Sequence, residues 1–200
     1  MKKEWETLKL SELADLSLGK MLDKNKNKGA FQQYLANYNV RWGHFDLSDL
    51  QLMRFEPDEE EKYSVKYGDI VMCEGGEPGR CAIWRDEIPK MKIQKALHRI
   101  RAKTIEPDYL YYILLQYGRS GMWEYYITGS TIKHLTGKVL SDVPIPVPPI
   151  HVQRNIASIL RCIDEKIRLN ESINQNLPPL CRVVKRRSRR ILASGEECRG

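Results

Sequence analysis

Four prolines within six residues, Pro144, Pro146, Pro148 and Pro149, constrain this chain more than any other feature. Each fixes its own φ, removes a backbone donor and pushes the preceding residue out of the helical region. Val143–Pro149 is therefore extended, at a sheet edge or as a rigid joint. The next segment has the opposite character. From Ile150 to Leu177 there is neither Pro nor Gly, and Ile156, Ile159, Leu160, Ile163 and Ile167 recur at three- and four-residue spacing. Ile173 and Leu177 continue the stripe less regularly. About 25 helical residues at ~1.5 Å each make a rod near 37 Å, whose apolar stripe must be covered. Asn170 and Asn174 fall in the seam, which suits a coiled coil with polar register-setting positions. The expected organisation is a domain over residues 1–149, a long dimerising or spacer helix over 150–177, and a tail over 178–200.

Charge has to be divided before it is interpreted. The formal net charge is +7, and residues 178–200 hold seven Arg or Lys against two Glu, so the tail carries +5 and the rest +2. The tail reads as solvated and disordered. Overall basicity is thus no evidence that the body binds nucleic acid; local placement has to decide. The lysines of MKKEWETLKL precede no apolar run, and no stretch approaches the roughly 18 apolar residues of a membrane span. Five cysteines with no C-x-x-C pair argue against a disulfide framework and a zinc ribbon. The chain reads as cytoplasmic, with no membrane partner.

Two loops and a turn offer the groups that recognise nucleic acid. KMLDKNKNKG, residues 20–29, has three net positive charges and contributes Lys20, Lys24, Lys26 and Lys28. Phe31–Trp42 interleaves aromatics and amides, contributing Tyr34, Asn37, Asn39, Arg41 and Trp42. Amides and guanidinium pair bidentately with base edges, whereas lysines neutralise phosphates without regard to sequence. Asn37, Asn39 and Arg41 are thus the expected readers and the lysines the expected positioners. Ile70–Cys73 and Cys81–Trp84 read as strands joined by Gly75, Gly76, Pro78 and Gly79. No G-K-[ST] comes after them, so the glycines make a hairpin loop ending at Arg80 rather than a P-loop. Lys92 and a second small-polar loop with Ser130, Thr131, Lys133 and His134 complete the expected DNA surface. Lys95–Lys103 alternates like a strand, with Lys95, Arg99, Arg101 and Lys103 on a basic face and His98 on a core side. Glu56–Lys62, net −4, is expected to be a solvated turn kept away from any phosphate. Pro107-Asp108 opens a helix with Leu110, Ile113, Leu114 and Tyr117 on one stripe.

Catalytic signatures are missing: no H-E-x-x-H, G-x-S-x-G, P-loop or dinucleotide fingerprint occurs. Asp69 and Glu74 could be posed as a metal-dependent nuclease pair, but no lysine sits two residues after Glu74. Three classes therefore compete: a DNA-recognition subunit without catalysis, a helical adaptor that never touches DNA, and a small nuclease.

The order of segments favours the first. Tyr67-Gly68-Asp69-Ile70-Val71 with its glycine turn and Ala82-Ile83, then Pro107-Asp108-Tyr109-Leu110-Tyr111-Tyr112, resembles the specificity subunits of type I restriction–modification systems. Gly129-Ser130-Thr131, Leu135-Thr136, and Ile145-Pro146-Val147-Pro148-Pro149-Ile150 with Gln153, Ile156, Ile159 and Leu160 continue that resemblance to Leu177. It implies an α+β target-recognition domain that reads one half of a bipartite duplex site, then a long helix packed antiparallel against another. It also implies modification subunits that methylate adenine and a restriction subunit as partners. No cofactor is implied in this chain; S-adenosylmethionine and ATP with Mg²⁺ belong to the partners. Family members carry two such domains, and here there is one, so two copies paired through the helices would restore the arrangement. Pro178-Pro179 and the arginine-rich residues beyond depart from the family pattern.

Overall fold

A computed structural model describes residues 5–23, 27–127 and 133–176. The chain divides into two units, residues 1–158 and residues 159–200. In the first, β1 (Glu6–Lys9) passes through a single helical turn, α1 (Leu10–Leu13), into β2 (Ala14–Leu18). Next come β3 (Ala30–Leu35), β4 (Gln51–Phe55), α2 (Glu60–Tyr63), β5 (Ile70–Cys73), β6 (Cys81–Ile83), β7 (Lys92–Ile93), β8 (Leu97–Ala102), α3 (Pro107–Arg119), α4 (Gly137–Ser141) and β9 (Pro144–Val147). The last helix, α5 (Ile150–Asn176), begins in this unit and continues into the second. The class is α+β, as expected.

The central sheet has the order β2-β8-β5-β6, antiparallel throughout. Its register aligns Leu16, Ile100, Ile70 and Ile83 across four strands. That face packs against Leu110 and Leu114 of α3, with Leu140 and Ile145. On the opposite face Val71, Cys73, Ala82 and Leu97 join Trp84, Leu35, Val40 and Ile93. Both faces being covered, β5 is an unbroken apolar run rather than an alternating one.

This double burial corrects the expected basic face of β8. Arg99 is 9% exposed and donates to the Ser64 carbonyl at 2.6 Å. Arg101 is clamped on Asp69 through Nε at 2.8 Å and Nη2 at 2.7 Å, and Lys103 pairs with Asp15 at 3.1 Å. Arg99 and Arg101 are thus spent inside the domain, while Lys95 and the paired Lys103 stay at its surface. His98 is buried as expected, with Nε2 2.8 Å from the Leu135 carbonyl.

A second, three-stranded sheet has the order β4-β3-β7. The outer edge of β4 is stopped at one residue: the Arg54 N–H donates to Asn27 Oδ1 at 2.8 Å, and Lys20 Nζ donates to the Arg54 carbonyl at 2.9 Å. The proline segment forms β9, antiparallel to β1 with Leu8 opposite Ile145. Its carbonyls at Pro144 and Pro146 accept from the hydroxyls of Tyr117 (2.7 Å) and Tyr109 (2.9 Å), both from α3.

The first turns of α5 belong with the domain, so the compact unit runs to Ser158 rather than stopping at Pro149. Gln153 is 2% exposed; its Oε1 accepts from the Glu106 N–H at 2.9 Å and its Nε2 donates to the Pro148 carbonyl at 2.8 Å. Ile156, expected in an intermolecular seam, packs instead on this core beside Ala157. In the second unit Ile159, Ile163, Ile167 and Ile173 are all exposed, the least of them by 49%. Leu177 and the tail to residue 200 lie outside the described residues.

Candidate nucleic-acid interface

The turn between β5 and β6 is the hub of the candidate site. It closes through Cys73 N–H to the Arg80 carbonyl at 2.8 Å and Gly79 N–H to the Cys73 carbonyl at 3.0 Å. Gly79 has φ +87°, and a Cβ there would lie 2.4 Å from the Trp123 indole, so only glycine fits. Three segments grip this turn. The half-buried Asn37 begins a 3₁₀ turn after β3 and donates Nδ2 to the Gly75 carbonyl at 2.7 Å. Arg80 answers from the far end, donating Nη2 to the Asn37 carbonyl (3.0 Å) and Oδ1 (2.7 Å) and Nη1 to Glu77 Oε2 (2.8 Å). The Trp42 indole N–H donates to the other Glu77 oxygen, and its ring lies over Gly118 of α3, where a Cβ would sit 2.2 Å away. On the third side His134 bridges Gly75, and the Leu135 N–H donates to the Glu74 carbonyl at 2.8 Å.

The structure thus brings together five expected site residues, Asn37, Trp42, Arg80, Lys133 and His134. Lys133 and His134 are exposed beside the turn, and Arg41 is exposed in the neighbouring loop, 3.6 Å from Asp46. Lys28 is exposed on its own loop. Lys24, Lys26, Ser130 and Thr131 lie outside the described residues.

Four expected contacts are corrected by burial. Lys92 has no exposed side-chain surface and gives Nζ to Glu60 at 2.7 Å. Lys20 is 2% exposed and pairs with Glu59. The two ammonium groups lie 5.1 Å (Lys20) and 6.0 Å (Lys92) from the centroid of the Phe55 ring. Tyr34 is buried beside Met53 and Phe55. Asn39 is 1% exposed: its Oδ1 accepts from the Ala36 N–H, and its Nδ2 donates to the carbonyls of Asp46 and Asp49, each at 2.9 Å. The acidic run is correspondingly not a free solvated turn, since Glu59 and Glu60 are the counter-ions of the buried lysines. Burial pushes the Glu59 carboxyl up, but hydrogen bonding and charge from Lys20 prevail and lower its pKa. The hydrogen bond from Lys92 lowers that of Glu60 against a smaller effect of burial.

Sequence reasoning missed Glu77 and Tyr38. Glu77 had a signal, three residues before Arg80 in E-P-G-R. Tyr38, 42% exposed, stands out only once its neighbours Asn37 and Asn39 are seen to turn inward. The nuclease pairing loses its first member, because both Asp69 oxygens are taken by Arg101 and the Lys66 N–H. What remains around the turn is a set of donors, acceptors and an aromatic ring that can meet base edges and phosphates.

Residues 2–178 match the type I restriction modification DNA specificity domain. Among solved structures, the type I restriction–modification S subunit from M. genitalium is similar at 20% identity and TM-score 0.61, covering 88% of this chain and 44% of that one. The HsdS subunit from Thermoanaerobacter tengcongensis is similar at 16% identity and TM-score 0.60, covering 86% and 40%. A chain from work on complex assembly and conformational transition of the type I R-M system gives 19%, 0.61, 86% and 41%. This chain therefore spans less than half the length of the solved proteins that share its fold. With the family match running over residues 2–178, through the compact unit and the whole of α5, the chain belongs to the type I restriction modification DNA specificity domain family.

Proposed function

We propose that this chain is the DNA-recognition specificity subunit of a type I restriction–modification complex, reading one half-site without catalysing any step itself. The observation that carries the reading is the convergence, within a domain of this family, of two candidate loops on one glycine turn. Arg41, Tyr38, Lys133 and His134 face solvent beside that turn and reach base edges and sugar-phosphate, while Lys28 and its neighbours position the duplex. Modification subunits with S-adenosylmethionine and a restriction subunit with ATP and Mg²⁺ supply the chemistry. Methylome sequencing of cells carrying this chain with its modification subunit tests this: one methylated motif is expected, and none would defeat it.

Two copies complete the site. Ile159, Leu160, Ile163 and Ile167 line a helix that needs a partner, with Ile173 and Leu177 extending the stripe. Antiparallel pairing about a two-fold axis sets two identical domains about one helical turn of DNA apart, ~34–36 Å, so the motif is an interrupted palindrome. Ile163→Asp is expected to convert a sedimenting dimer to a monomer. A wild-type monomer at micromolar concentration would assign the stripe to helices of a modification subunit instead.

A further inference from the structure

We infer that Arg80 is a positioning residue for sequence reading and makes no contact with the DNA phosphates. This rests on the recognition function proposed above. An arginine that neutralises a phosphate presents its N–H groups to solvent; here the side chain is 13% exposed and its terminal nitrogens face three protein acceptors. Those acceptors close a ring: Arg80 to Asn37, Asn37 Nδ2 to Gly75, and Gly75 back through the turn to Arg80. The Asn37 carbonyl that Arg80 engages also accepts from the Val40 N–H at 3.2 Å, so the guanidinium supports the 3₁₀ turn that carries Tyr38 and leads to Arg41. Through Glu77 the same guanidinium sets Trp42. Gly75 also bridges His134, so one side chain holds the turn to which both reading loops are attached. A lysine cannot reproduce this: its single nitrogen cannot span Glu77 and Asn37 as a planar fork does.

The charge-conserving substitution separates the two roles. The full chain and its Arg80→Lys and Arg80→Ala variants are used to select sites from a randomised duplex library, and affinities for the selected site and the unselected pool are measured against salt. Both variants are expected to lose about tenfold in the ratio of specific to pooled affinity, with the salt slope unchanged. Hydrogen exchange at the Val40 amide should quicken in both. Glu77→Gln, at a half-exposed position, is expected to lose part of the ratio in the same way. If Arg80→Lys keeps the full ratio while Arg80→Ala weakens all sequences alike and lowers the slope by about one, Arg80 is a phosphate contact and the inference falls. A wild-type chain that selects no site overturns the recognition function itself, and this inference with it.

Discussion

Around Phe55 two enclosed lysines reach partly buried glutamates; around the glycine turn an arginine, an asparagine and a tryptophan meet a glutamate that is half exposed. Both clusters draw on the same set of residues that sequence nominates for DNA. In the first, charge joins pieces of the fold: Lys20, from the loop after β2, and Lys92, from β7, fasten the acidic segment to the three-stranded sheet. In the second, polar groups hold a surface turn in one shape while leaving its neighbours exposed. A basic residue near a binding surface thus has two uses, and which one applies depends on depth: Lys20 and Lys92 meet their carboxylates inside the fold, whereas Arg80 meets Glu77 at its rim.

The sharpest way to break this comparison is Lys92→Ala. Removing a fully enclosed ammonium leaves a cavity under Phe55 and a glutamate without its partner, so a loss of about 2–4 kcal/mol is expected in urea denaturation. A loss below about 0.5 kcal/mol would return Lys92 to the DNA surface. Asn39→Ala comes next, since it strips three hydrogen bonds from a buried turn; about 1–3 kcal/mol is expected, as stability rather than as altered base preference at one position.

Acid should act on the buried titrating groups in two stages. Burial lowers the pKa of His98, and its bond to the Leu135 carbonyl only partly offsets this. Its neutral form is thus favoured in the fold, and stability present above its ordinary pKa of about 6.5 declines as pH falls through the lower folded value. The lowered carboxyls of Glu59 and Glu60 add stability that is full above about 4.3 and lost as pH drops through their folded values. Melting temperature against pH should show a shallow fall and then a steep one, and His98→Gln should remove the first. The smallest effect belongs to Lys28→Ala: stability within about 0.5 kcal/mol of wild type and a salt slope for DNA lowered by about one.

Much of the scaffold was legible because its signals are local. Prolines at 144 and 146 require extension, Pro107 with the stripe Leu110 and Leu114 requires a helix, and Gly75 to Gly79 between apolar runs requires a hairpin. The site was legible only in part. Asn37, Trp42, Arg80, Lys133 and His134 do meet, although they lie far apart in sequence. The errors at Lys20 and Lys92 have a single cause: their counter-ions, Glu59 and Glu60, come from another segment, and nothing near either lysine announces them. Asn39 misled for a related reason, since an amide suited to adenine is equally suited to three backbone groups. Composition does not separate these uses; long-range packing does.

The stopped edge of β4 limits how far the lysine loop can be rebuilt. Asn27 and Lys20 flank that loop, and between them they occupy the one N–H and one C=O of Arg54 that another strand would need. Lys28, exposed and outside those two contacts, can be exchanged without touching the edge. Shortening the loop would withdraw Asn27 and uncover a strand edge beside the exposed side chains of Phe31 and Leu52. Such an edge is a template for pairing with a neighbouring molecule. A grafted loop of the wrong length would therefore fail first as insoluble protein, before any question of which bases it reads.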